Sequence, residues 1–234
     1  MAVTGEGSPR PGASGVLFSG GLDSAVLLAH EVQRCEVLPM YVSVGLAWES
    51  AERAAAERLL THPLFSRRTR PLANLFIPIG DVYPPTHWAI RGEPPGYDTP
   101  DEDVYLLGRN LLLLAKAAIL CARAGINRIA LGPLAGNPFP DARPAFFAAM
   151  AEALSLGLEH PLVIVRPFEA MHKEDVIRLG ASLGVPFELT LSCMNPTEGV
   201  HCNACSKCRE RQQAFTAAGI VDPAQYQARS VRRD

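Results

Sequence analysis

Two clusters in this 234-residue chain have residue types and spacings that suit chemistry rather than packing. The first is Ser19-Gly20-Gly21-Leu22-Asp23-Ser24, preceded by Phe18. A glycine pair lets the backbone turn tightly and approach a ligand with no Cβ in the way. Where such a turn opens a helix, the unpaired N–H groups and partial positive charge of the helix N-terminus suit a phosphate or pyrophosphate. Ser19 and Ser24 add hydroxyl donors. Asp23 repels a bare phosphate, so it is expected to cap the helix or to act through Mg²⁺. The chain has no Gly-Lys-Ser/Thr and no G-x-G-x-x-G, which excludes a Walker loop and a dinucleotide fingerprint. Phe18, Ser19, Gly20, Gly21, Leu22, Asp23 and Ser24 are therefore the expected nucleotide-binding residues. The second cluster is Cys193-x8-Cys202-x2-Cys205-x2-Cys208. Four thiolates complete a tetrahedral Zn²⁺ shell with no position left for water, which marks a structural site. The ion would fold a segment too poor in apolar residues for a core of its own. An iron–sulfur cluster uses the same ligands, and spacing leaves both open. His201, beside Cys202, is a weaker ligand because adjacent residues rarely reach one metal together. Cys35 and Cys121 stand alone.

These clusters need elements to hold them. Residues 15–18 form a short apolar run ending at the glycine pair, the pattern of a buried strand, and residues 22–33 follow with helical spacing. Further strands are expected at 37–44, 75–79, 128–131 and 162–165, and helices at 48–60, 106–124, 144–158 and 173–183. Strands alternating with helices of this length make an α/β fold: a parallel five-stranded sheet sandwiched by helices. Residues 80–100, with Pro84-Pro85 and Pro94-Pro95-Gly96, are expected to be an irregular loop, a length usually reserved for function. The expected organisation is a flexible tail at 1–14, the α/β domain at 15–184, a zinc-binding module at 185–220 with a helix at 206–218, and a tail at 221–234 carrying Arg229, Arg232 and Arg233.

A composition of 48% hydrophobic and 20% charged residues is that of a folded globular chain and excludes wholesale disorder. A net charge of −2 offers no basic field, so no stable nucleic-acid partner is expected. The longest helical apolar segment, 111–122, is interrupted by Lys116 and too short to span a bilayer, and the first residues lack the apolar core of a signal peptide. A cytoplasmic location without membrane contact is expected.

Ser19-Gly20-Gly21-Leu22-Asp23-Ser24 resembles the PP-loop of the ATP pyrophosphatases. That resemblance implies a HUP-like (Rossmann-like) sheet, with ATP cleaved to AMP and pyrophosphate as a substrate is adenylated. Ser192-Cys193 followed by Cys202-x2-Cys205-x2-Cys208-Arg209-x-Arg211 and Phe215 resembles the end of the 7-cyano-7-deazaguanine synthase family. Gly108-Arg109-Asn110 is similar to that family's Pro-x-Arg-Asn. Pro140-Asp141-Ala142-Arg143-Pro144-x-Phe146 is similar to its Pro-Asp-Cys-Arg-x-x-Phe, and His172-Lys173 falls where the family has Asn-Lys leading a helix. The likeness runs in order from about residue 15 to 220. It departs at Ser43-Val44-Gly45-Leu46-Ala47-Trp48-Glu49, where the family carries a polar Asn/Gln-Arg-His segment, and at 135–139, where the family has Asp-Tyr-Ser-Gly-Tyr.

The resemblance implies ATP-dependent conversion of 7-carboxy-7-deazaguanine and ammonia to 7-cyano-7-deazaguanine, a queuosine precursor, by a homodimer. It places Lys173, Arg109 and Asp23 in catalysis, and Arg109, Asn110, Asp141 and Arg143 on the substrate. Glu49, next to the departure, is the expected replacement reader of a guanine-like edge, with Trp48 stacking on its ring. Plainer roles stand beside these: Arg109 pairing with Asp101, Glu102 or Asp103, Asn110 as a helix cap, an Asp141–Arg143 loop pair, and Glu49 as a first-turn residue. Two rival functions remain, a paralogous adenylating amidase or ligase for another acid and a zinc-ribbon binding module on a degenerate nucleotide fold.

Overall fold

A computed structural model of the protein describes residues 12–228. The elements run β1 (Ser14–Leu17), α1 (Leu22–Val32), β2 (Val37–Ser43), α2 (Glu49–Leu60), β3 (Ala73–Phe76), α3 (Trp88–Arg91), α4 (Arg109–Arg123), β4 (Arg128–Ala130), α5 (Pro144–Leu158), β5 (Val163–Val165), α6 (Lys173–Ser182) and α7 (Ser206–Ala218). The five strands form one parallel sheet in the order β3-β2-β1-β4-β5, the HUP-type arrangement expected. Successive strand residues point to opposite faces. Val37 and Ala130 accordingly join a core with α1, α2, α6 and α7, whereas Leu38 and Ile129 join one with α4 and α5. Burial on both faces explains why β1 and β2, inside the sheet, read as continuous apolar runs, whereas the edge strand β3 alternates half-buried and exposed residues.

Three expectations shift. The third strand begins earlier than 75 and pairs only to Phe76, although Ile77 and Ile79 still donate to Ser43 and Val44. The helix expected from 106 begins at Arg109, because Gly108 takes a φ of +77° that breaks the helical path. The loop at 80–100 is not wholly irregular. It holds α3, whose start is capped by His87 Nδ1 accepting from the Ala89 N–H.

Residues 77–107 form a strap across the carboxyl ends of the strands, where Ile79, Ala89, Val104 and Leu106 pack with Val44, Leu46, Trp48 and Met194. The strap is tied to α7: Arg209 donates to the carbonyls of Tyr97 and Thr99 and to Asp101, each at 2.7 Å. Beyond α7, Asp222 pairs with the fully buried Arg211 at 2.9 Å and accepts from Tyr226 Oη at 2.6 Å. Residues 222–227 of the stretch read as a tail are thereby packed onto the module, with Gln227 N–H bonded to the His201 carbonyl. Arg229, Arg232 and Arg233, like residues 1–11, lie outside the described residues.

Candidate active site and metal cluster

The carboxyl ends of β1, β2 and β4 open onto a cavity of about 380 Å³. Its floor is the turn between β1 and α1. Gly20 sits at φ +78°, and a Cβ there would come within 2.6 Å of the Ala56 nitrogen and 2.8 Å of the Glu52 carbonyl, so α2 presses on the turn as closely as backbone can. Inside the turn, Ser24 Oγ donates to the Gly21 carbonyl at 3.0 Å, and Ser19 Oγ accepts from the Gly21 N–H at 3.2 Å. The Leu191 N–H donates to the Gly20 carbonyl at 3.0 Å, closing the turn from the far end of the chain. Asp23 does not cap α1, which has no side-chain cap. One of its oxygens accepts from Lys173 Nζ at 3.0 Å, and the other, Oδ1, is buried without a partner among the described residues.

Lys173, at the start of α6, also bonds Glu210 of α7 at 2.6 Å, and Glu210 holds Lys207 in turn. Burial works against the Lys173 ammonium, but Asp23 and Glu210 outweigh it and raise its pKa. Burial likewise works against ionised Glu210, yet the two lysines hold it down at about 2. The cavity thus carries two fixed cations, Lys173 and Lys207, beside the glycine turn.

Across the cavity wall stand Tyr41, Trp48, Glu52, Trp88, Arg109 and Asp141. Among the described residues Arg109 Nε is buried without a partner, and Asp101 pairs with Arg209 instead of Arg109. Asp141 accepts from the Asn110 backbone N–H at 3.1 Å while Asn110 Nδ2 donates to the Asp141 carbonyl at 2.9 Å, so the two lock the start of α4. Burial raises the Asp141 pKa against the pull of that N–H and of Arg109.

The four cysteines come together with their Sγ atoms within 4.8 Å of one another. Cys205 Sγ lies 3.6 Å from Cys208 and 4.0 Å from Cys193, and Cys202 lies 3.9 Å from Cys208. A tetrahedron of thiolates about one ion with metal–sulfur bonds of about 2.3 Å has edges of about 3.8 Å, so the set fits a single metal. Backbone N–H groups of Asn195 and Cys202 point at Cys193 Sγ, as a thiolate requires. His201 is not in the cluster: its Nε2 accepts from the Ser192 N–H at 3.1 Å, and burial followed by the Arg211 charge lowers its pKa to about 4.

The family model described as Queuosine biosynthesis protein QueC matches residues 14–219, the whole stretch that carries the turn, the cavity wall and the cysteines. The chain belongs to the QueC family. Among its relatives, the 7-cyano-7-deazaguanine synthase of Azoarcus sp. (strain BH72) is 36% identical over 92% of this chain and 96% of that protein. That of Methanothrix thermoacetophila is 36% identical over 90% and 97%, and that of Methanopyrus kandleri 33% over 90% and 97%.

Within this QueC-family chain, two expected substrate residues do not reach the cavity. Glu49 is buried and accepts from Ser43 Oγ at 2.5 Å, Val44 N–H at 2.8 Å and Gly45 N–H at 3.0 Å, so it fastens the loop after β2. Arg143 stands at the exposed start of α5, apart from the cavity lining and unpaired with Asp141 among the described residues. Lys207, Glu210, Tyr41 and Glu52 were not singled out from the sequence. Lys207 and Glu210 flank Cys208 three apart from each other, a spacing that could have drawn them in once the helix was placed.

Proposed function

We propose that the protein makes 7-cyano-7-deazaguanine from 7-carboxy-7-deazaguanine and ammonia, driven by ATP. The observation that carries this reading is the meeting of the Ser19–Ser24 turn, Lys173 and Arg109, whose buried Nε has no partner among the described residues, in one cavity, in a chain whose relatives bear that enzyme's name. The α1 N-terminus and the hydroxyls of Ser19 and Ser24 hold the phosphates. The substrate carboxylate oxygen attacks the α-phosphorus, the bond to the β-phosphate oxygen breaks, and pyrophosphate leaves with the electron pair. Lys173 and Lys207 neutralise the charge that accumulates there. Ammonia then adds to the acyl carbon and AMP departs, giving the amide. A second ATP activates the amide oxygen in the same way, and loss of AMP with the two N–H protons leaves the nitrile.

Mg²⁺, when bound, spreads the phosphate charge, and Asp23 is the residue to hold it because Oδ1 has no other partner. Zn²⁺ is the ion we assign to the four cysteines, since a closed thiolate shell suits a redox-silent structural metal. Asn110 and Asp141 position Arg109 through the start of α4. We further read the protein as a cytoplasmic homodimer, with exposed Leu111 and Ile119 on α4 available for the subunit contact.

The test is incubation with 7-carboxy-7-deazaguanine, ATP, Mg²⁺ and ammonium. AMP, pyrophosphate and a product with the mass of the nitrile are expected; ADP and orthophosphate as the only nucleotide products overturn the mechanism. A second reading, an adenylating enzyme for another acid, is favoured by the buried, apolar Leu46 and Trp48 in the segment after β2. It takes over if ATP binds but this acid gives no AMP above background.

A further inference from the structure

Glu52 has no part in the phosphate chemistry above, yet it lines the cavity, with its carboxylate held between two other lining residues, Tyr41 and Trp48. Its Oε1 accepts from Trp48 Nε1 at 3.2 Å, and its Oε2 lies 3.1 Å from Tyr41 Oη, whose single proton it shares with the Glu49 carbonyl at 3.2 Å. One full neutral donor and one shared one orient the group and leave each oxygen a further lone pair. Such a carboxylate is poorly compensated: burial raises its pKa, with the nearby Arg109 charge opposing. Arg109 is under-satisfied as well, its Nε buried without a partner. No ion pair joins the two among the described residues; Lys173 and Lys207 are engaged with Asp23 and Glu210.

A carboxylate and a guanidinium that line one cavity without pairing are the two halves of a receptor for a group presenting an acceptor beside donors. The edge of a guanine-like ring is such a group, with its 6-oxo oxygen next to N1–H and the 2-amino N–H. Trp48 and Trp88, stacked with ring centroids 5.7 Å apart and planes 6° from parallel, supply an aromatic wall in the same cavity. The rival carboxylate, Glu49, already accepts three bonds away from the cavity.

We propose that Glu52 is the residue that selects the substrate base, accepting from N1–H and the 2-amino group while Arg109 donates to the 6-oxo oxygen. The proposal rests on the deazaguanine reading. It gives the cavity a means of telling its two purine-like ligands apart. Adenine offers an unprotonated N1 acceptor and no 2-amino group, so it would leave the Glu52 carboxylate facing a lone pair.

The experiment compares wild type, Glu52→Gln and Trp48→Phe in AMP formation with 7-carboxy-7-deazaguanine and with its analogue lacking the 2-amino group. ATP titration and thermal melting are measured on each protein. Wild type should prefer the 2-amino acid by about 100-fold in kcat/KM. Glu52→Gln should raise KM for that acid at least about tenfold and erase the preference, with ATP affinity and melting kept. Trp48→Phe, which retains a ring but removes one donor orienting Glu52, should erode the preference partway. A preference intact in Glu52→Gln, or a loss of ATP binding in step with the loss of substrate, overturns the proposal alone. Absence of AMP from wild type with either acid overturns the deazaguanine reading and this proposal with it.

Discussion

The sheet domain and the segment from residue 186 onward are held together by different physics. In the sheet domain Val16, Leu28, Met40, Leu59 and Ile129 are completely buried, and two apolar layers enclose the strands. The later segment buries Cys205, Cys208, Cys193 and the whole of Arg211. Arg211 donates to the Phe187 and Thr190 carbonyls, to Thr190 Oγ1 and to Asp222, so one cation ties α7 to the chain before and after it, beside the buried Phe187–Phe215 ring pair that joins α7 to the sheet core. Around the cysteines the segment has little apolar surface of its own, and there a metal or a polar hub supplies the order. The two regions therefore should fail for different reasons.

The largest effect should come from Cys205→Ser. With one thiolate gone the ion leaves, and melting should fall by on the order of 10 °C with metal content dropping from about one per chain to near none. ATP affinity should fall too, because Glu210 on α7 helps to position Lys173. Metal analysis and a thermal scan check this; unchanged melting would dissolve the contrast between the regions. Next is Leu28→Ala, which opens a hole in the sheet core at a cost of about 2–5 kcal/mol. Metal content should stay the same, and equal loss of metal in both variants would show one cooperative unit. The smallest effect concerns Glu31, a buried carboxylate paired with Arg128 at the other end of the sheet. Despite burial, its bonds to His30 and Arg128 lower its pKa from 4.5 to about 2. A folded-state value below the ordinary one stabilises fully above 4.5, and that contribution is lost as pH falls through 2. Between roughly pH 5 and pH 3 the wild type should therefore lose more denaturant resistance than Glu31→Gln.

The same contrast explains what could be read from the sequence. The strands and helices were legible because burial on both faces imposes apolar runs of fixed period, and the glycine turn and the cysteine spacing were legible because local geometry demands those residues. Glu49, the expected reader of the base edge, lies off the cavity because its loop folds back: three donors from residues 43–45 reach it, which no periodicity announces. Glu52 went unseen because its partners, Tyr41 and Trp48, meet it only once α2 lies against the end of β2. Asp222 looked like part of a tail because its partner Arg211 sits on a helix with weak apolar patterning.

The bond from Leu191 N–H to the Gly20 carbonyl has a consequence for the order in which the protein is built. The turn leaves the ribosome well before its closing donor, the lysines at 173 and 207, and Glu210. During synthesis β1, β2 and β3 can pair first, while the partner strands β4 and β5 and the metal segment are still to come. A nascent chain released before residue 191 carries the whole glycine motif and lacks the group that closes it, so nucleotide binding has to wait until residues 191–210 have emerged.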